Sequence, residues 1–214
     1  MFSTQEFRSD SLKALPQWAR VIASMRREWP GYRRCADDAK ACDSTALKSW
    51  RELIVAARGL DRVHQIDTVN RFFNRWPYKS DKEIYGVREY WATPTEFLSR
   101  SGDCEDYSIA KYYALRALGF EPESLRVVIL MDRIRGIGHA VLAVYTGSDI
   151  LILDSLSDLI VSHSRYKHYI PQYSMNETTR WAHLSPQLNP GTPAGGVPLN
   201  QLLAGRGNGA TIRP

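Results

Sequence analysis

Three features of the 214-residue chain predict an α+β fold. Apolar residues recur at helical spacing through roughly the first 90 positions. A capped helix then opens at a cysteine. Beyond it, short apolar runs separated by turn signals read as strands up to Leu184. Helices first and strands afterwards is the order of an α+β domain.

The first helix opens with Pro16 at its first position and carries Trp18, Val21, Ile22, Met25 and Trp29 on one stripe. Pro30-Gly31 is expected to stop it. A second stripe of Leu47, Trp50, Leu53, Ile54 and Ala57 ends near Gly59. A third, Val63, Ile66, Val69, Phe72, Phe73 and Trp76, is broken by Pro77. Aromatic stripes at this spacing are assigned to packing. Residues 78–92 read as a polar, aromatic loop. Thr93-Pro94-Thr95-Glu96 then supplies a threonine N-cap, a proline at N1 and a glutamate at N3, which together make a capping box. The next helix has Asp103 as cap, Cys104 in its first turn and Asp106 at N3. Ile109, Tyr112, Tyr113 and Leu115–Leu118 carry it inward until Gly119 closes it. Strands are predicted at Leu125–Met131, His139–Tyr145, Ile150–Asp154, Tyr169–Ser174 and Trp181–Leu184. Residues 1–188 read as a single domain, and 189–214, rich in Gly and Pro without periodicity, as a flexible tail.

Composition narrows the class. With 43% hydrophobic and 24% charged residues the chain falls among soluble globular proteins. Its longest apolar runs, Val127–Met131 and Ile150–Leu153, are strand-sized, so no direct membrane insertion is expected. The N-terminus shows no basic stretch leading into an apolar run, the expectation for either a cytoplasmic chain or a mature form lacking its leader. The net charge of +5 resides partly in the pairs Arg26-Arg27 and Arg33-Arg34, without interleaved aromatics. These read as solvated helix faces, and no nucleic-acid partner is expected. Of three cysteines, Cys35 and Cys42 are separated by six residues with no histidine placed for a zinc site. A local disulfide in an oxidising compartment and two unrelated buried thiols both remain open.

The chemistry gathers around Gly102-Asp103-Cys104-Glu105-Asp106-Tyr107, with His139 and Asp154 following in that order. Each residue alone is ordinary, since a lone cysteine is usually a small buried hydrophobe. Their joint placement is not. A helix start stabilises a thiolate, and strand ends suit a base and its orienting acid. Thr146-Gly147-Ser148-Asp149 is turn-like; if it closes a hairpin with Tyr145 opposite Ile150, then Val141 faces Asp154. His139 and Asp154 become diagonal neighbours on one face, roughly 7–8 Å between backbones. A slip of one residue would separate them. Cys104 is then the nucleophile, His139 the base and Asp154 the group holding the imidazole tautomer. The Cys104 amide would serve as an oxyanion donor. Asp103, Glu105 and Asp106 oppose a thiolate. Either a hard cation such as Ca2+ offsets them, or Asp103 and Asp106 only cap the helix while Glu105 faces water. Gly136-x-Gly138 lacks the setting of a dinucleotide loop, and His64, His163 and His168 read as surface residues.

Taken together, Tyr90-Trp91-Ala92-Thr93-Pro94-x-Glu96-Phe97-Leu98, Gly102 to Tyr107 continuing into Ile109-Ala110-Lys111-Tyr112, His139-Ala140-Val141-Leu142, Leu153-Asp154-x-Leu156 and Pro171-x-Tyr173-Ser174-x-Asn176 resemble the LapG family of bacterial transglutaminase-like cysteine proteinases. The resemblance covers about residues 10–185. It implies a papain- and transglutaminase-like core, with the nucleophile's helix packed on an antiparallel sheet, and the triad Cys104, His139 and Asp154. It implies Ca2+ held through Asp103 and Glu105, with Asp106, Glu123 or backbone carbonyls open as further ligands. The implied substrate is the N-terminal region of a large surface adhesin, cut at a di-alanine site in the periplasm. The implied partner is an inner-membrane LapD-type cyclic di-GMP receptor. An acyltransferase using the same triad and a non-catalytic peptide-binding module are the other classes. In that setting a Cys35–Cys42 bridge is favoured. Ser155 stands where the family usually has Asn, and Glu89 where Asp commonly precedes the Tyr-Trp pair.

Overall fold

The computed structural model describes residues 1–185, so the expected tail over 189–214 lies outside the described residues. Helices α1 (Pro16–Asp37), α2 (Thr45–Ala57), α3 (Arg62–Asn74), α4 (Asp81–Tyr85), α5 (Pro94–Arg100) and α6 (Cys104–Ala117) form one layer. Strands β1 (Gln5–Ser9), β2 (Leu125–Asp132), β3 (Ile137–Tyr145), β4 (Ile150–Asp154), β5 (Ser157–Ser162), β6 (Tyr169–Met175) and β7 (Arg180–Leu184) form the other. The sheet order is β1-β7-β6-β2-β3-β4-β5, with every neighbouring pair antiparallel. The architecture is α+β, as predicted. Among the described residues no helix is long and apolar enough to cross a membrane.

Strand alternation divides the core. Val127, Ile129, Ala140, Leu142, Val144 and Leu153 pack against the helices. Val128, Leu130, Val141, Ala143, Ile152 and Tyr169 form a smaller cluster on the other face. Helix α6 lies against β2 and β3, with α3 alongside it and reaching β5. Trp18 of α1 meets Tyr112 of α6 edge to face, with ring centroids 5.6 Å apart, and this ties the first helix to the sixth.

The structure departs from expectation in three places. Helix α1 does not stop at Pro30-Gly31. Buried Tyr32, Cys35 and Ala36 prolong the stripe begun by Trp18, so burial of another turn and a half outweighs the proline's missing donor. The loop over 78–92 contains α4, opened by a capping box between Ser80 and Glu83 and closed by Gly86 in the left-handed region. Two edge strands, β1 and β5, were not anticipated; their burial patterns lack the in-out alternation that marks a strand. The two cysteines left open by spacing are joined as Cys35–Cys42, with 4.7 Å between Cα atoms, where α1 turns toward α2.

Candidate active site

Helix α6 begins at Cys104 because Asp103 and Asp106 close a reciprocal capping box. Asp106 Oδ2 accepts from the Asp103 amide (3.2 Å), and its Oδ1 accepts from the Ala92 amide (2.6 Å), fixing the helix start to the segment before α5. Gly102 permits this. A Cβ there would lie 2.2 Å from Asp106 Oδ2. Ser101, just before it, has φ 73° and ψ −169°, a region otherwise left to glycine, so the approach to the cysteine is strained.

The β3–β4 hairpin has the register read from its turn, Tyr145 opposite Ile150 and Leu142 opposite Leu153. His139 Nε2 and Asp154 Oδ1 are 2.9 Å apart and both side chains are buried. Asp154 also accepts from the Leu156 amide (Oδ1, 3.0 Å) and from the Tyr169 hydroxyl (Oδ2, 2.6 Å). Burial pushes this carboxyl up, but the His139 and Tyr169 hydrogen bonds outweigh it and hold the group below its ordinary value. Tyr169 is a site residue that sequence reasoning placed in a strand and nothing more; only the fold carries its hydroxyl to Asp154.

Cys104 and His139 line one cleft of about 400 Å3, with Trp76, Tyr78, Arg135 and Leu156 among its walls. The sulfur arrives from the helical side, and the Ala140 amide, next along the chain from His139, pulls its pKa down against larger opposing effects. The thiol itself donates to Glu105 Oε2 at 3.2 Å. Burial first, then the charges of Glu105 and Asp103, push this thiol well up. Ser155 also lines the cleft, its hydroxyl buried without a hydrogen-bond partner among the described residues.

Asp103 and Glu105 are joined by a residue the sequence did not single out. Asp81, at the start of α4, places a carboxylate oxygen so that one from each of the three lies within 4.8 Å of the others. Glu105 is pushed up to about 7 by burial and by Asp106, and Asp81 to about 7 by burial and by Asp103. Asp103 and Asp106 rise as well, each through burial and then the other acids. Glu89 adds its charge to Asp81 and Asp103. Asp81 Oδ1 and Asp103 Oδ1 are buried without hydrogen-bond partners among the described residues. Orphaned carboxylate oxygens converging in one buried place suit a hard divalent cation, and Asp81, Asp103 and Glu105 would hold it. His64 pairs with Asp61 on an exposed face of α3, and His163 accepts from the Phe2 amide, both away from this centre.

The profile described as bacterial transglutaminase-like cysteine proteinase, BTLCP, matches residues 26–189. Comparison with curated proteins gives no match. Among solved structures, Legionella pneumophila LapG aligns at 32% identity over 71% of this chain and 87% of its own, with a TM-score of 0.60. Its EGTA-treated form gives 31% identity, coverages of 73% and 88%, and 0.62; its calcium-bound form gives 30%, 75% and 92%, and 0.60.

Proposed function

The chain belongs to the bacterial transglutaminase-like cysteine proteinases, and from that premise we propose that it is a calcium-dependent endopeptidase in which Cys104 is the nucleophile, His139 the general base and Asp154 the orienting acid. One observation carries the reading: a cysteine at the first position of a helix opens into the same cleft as a buried, hydrogen-bonded His139–Asp154 pair.

With Nε2 held by Asp154, Nδ1 is the ring nitrogen left to take the thiol proton. The sulfur then attacks the scissile carbonyl carbon. Negative charge gathers on the carbonyl oxygen, and the Cys104 amide at the α6 N-terminus donates to it. The imidazolium returns its proton to the departing amine as the C–N bond breaks, leaving a thioester. Water, losing a proton to His139, hydrolyses that thioester and frees the thiol. Asp154 stays ionised throughout, its second oxygen held by Tyr169. Ca2+ at Asp81, Asp103 and Glu105 would neutralise carboxylate charge beside the sulfur.

The proposed substrate is the N-terminal region of a large surface adhesin, cut at a di-alanine site to release it and disperse a biofilm. A LapD-type cyclic di-GMP receptor of the inner membrane is the proposed controlling partner, and the periplasm the proposed compartment. Likeness to LapG supports the substrate and partner; the Cys35–Cys42 disulfide supports an oxidising location. Incubating the purified protein with an adhesin N-terminal fragment, with calcium or with chelator, tests the reading. Cleavage is expected with calcium alone and is expected to vanish in Cys104→Ala. Capture of the acyl group by an added amine in preference to water would instead place the chain among the acyltransferases.

A further inference from the structure

The walls of the active-site cleft carry a cation that the chemistry leaves unused. Cys104 and His139 share those walls with the aromatic rings of Trp76, Tyr78 and Tyr107, and none of Asp81, Asp103 and Glu105 is among the lining residues. Arg135 is. Apart from the paired His139, no other lining residue is a histidine, lysine, arginine or carboxylate. Arg20, Arg58, Arg71, Arg116 and Arg126 are each held by a carboxylate. The exposed Arg135 side chain makes no ion pair or hydrogen bond among the described residues.

The turn that presents Arg135 is tied down. Buried Asp132 ends β2, and its Oδ1 accepts from the amides of Ile134 (2.9 Å) and Arg135 (3.2 Å). Its carbonyl oxygen accepts from the Gly136 amide (2.8 Å), while the Arg133 amide donates to the His168 carbonyl oxygen (3.0 Å). Gly136 closes the turn at φ 69°. Of the three exposed side chains before it, Arg133 and Ile134 lie off the cleft and Arg135 lines it, as do Ile137, Gly138 and His139 just beyond. An unpaired cation held at the edge of a cleft with aromatic walls attracts an anion, because low-dielectric walls focus its field. The planar fork of an arginine matches a carboxylate in particular.

We propose that Arg135 is a specificity-determining residue, its guanidinium taking an aspartate or glutamate side chain that flanks the scissile bond of the substrate. The effect on cleavage rests on the protease reading; the charge preference in peptide binding does not. An arginine that only solvates its turn would show no such preference.

The test uses synthetic peptides that keep the di-alanine site and place Asp, Asn or Lys in turn at the two positions before and the two positions after it. The unaltered chain is expected to favour Asp over Asn in kcat/KM by about three- to fivefold at one or more of these positions, the upper range for a solvent-accessible ion pair. The preference is expected to fade toward 1 M salt, where the Debye length drops to about 3 Å. Arg135→Lys is expected to keep its sign. Arg135→Glu is expected to reverse it, so that Lys becomes the favoured residue. Equal cleavage of all three peptides at every position, or a preference that Arg135→Glu leaves in place, would overturn the proposal. Fluorescence anisotropy of the same peptides, labelled, on Cys104→Ala and on Cys104→Ala with Arg135→Glu reads binding without turnover. Should the unaltered chain cleave none of the peptides, the protease reading fails, and the charge preference in binding, reversed or absent, still decides this one.

Discussion

Calcium removal gives the most quantitative prediction. Glu105 is buried, and its pKa rises from 4.5 to about 7 in the metal-free protein. A carboxyl whose pKa is raised on folding favours the folded state below its unfolded value and loses that advantage as pH climbs through the folded one. For Glu105 the window runs from 4.5 to about 7. A rise of that size corresponds to about 3 kcal/mol of stability lost across the window. In a chain of this length that amounts to a fall of roughly 6–12 °C in Tm. Asp81, Asp103 and Asp106 act in the same direction, so the full drop is expected to exceed that of Glu105 alone. Calcium reverses the sign, since it binds the ionised carboxylates; at a hundredfold excess over Kd it restores about 2.7 kcal/mol. Scanning calorimetry from pH 5 to pH 8, in chelator and in calcium, measures both effects. Glu105→Gln in chelator is expected to flatten part of the slope. A metal-free midpoint that stays level across this range, together with indifference to calcium, would refute the reasoning.

Other outcomes follow from named contacts. His139→Ala is expected to abolish cleavage while the protein still unfolds cooperatively in a thermal scan; loss of that transition would make the histidine structural. Tyr169→Phe removes the hydroxyl that holds Asp154 Oδ2. A hydrogen bond to a charged group contributes about 1.5–3 kcal/mol, so kcat/KM is expected to fall by roughly one to two orders of magnitude, and an unaltered value would show that Tyr169 is idle. Replacing both Cys35 and Cys42 with Ser opens a loop with a sequence separation of 7; chain-entropy arithmetic gives about 2.5 kcal/mol of lost stability, measurable by urea unfolding with cleavage by the folded fraction unchanged.

How much of this was legible in the residues depended on how local each signal was. The hairpin was legible because Thr146–Asp149 fixes a parity and His139 and Asp154 obey it. The start of α6 was legible because Asp103 and Asp106 sit at capping spacing. Asp81 was not. It comes from a segment some twenty residues upstream, and only the fold brings it to Asp103; the Ser80–Glu83 capping box was the one local hint. Tyr169 was hidden for the same reason, since it acts on Asp154 from another strand of the sheet. Pro30-Gly31 misled in the opposite direction. A strong local breaker lost to tertiary burial of Tyr32, Cys35 and Ala36.

The pairing of Tyr145 with Ile150 behaves like a reading frame. Lengthening the Thr146–Asp149 link by one residue would send Asp154 to the opposite side of the ribbon, while two extra residues would keep the side but displace the acid by a step. Drift in loop length is therefore barred at this connection. At the Arg133–Gly136 link of the neighbouring hairpin the freedom is of side chain and not of length: Leu130 opposite His139 fixes the register there too, but the three exposed side chains before the left-handed Gly136 include no triad member. Sequence variety that reshapes the mouth of the cleft has room to accumulate there, around Arg135, with the machinery behind it left in phase.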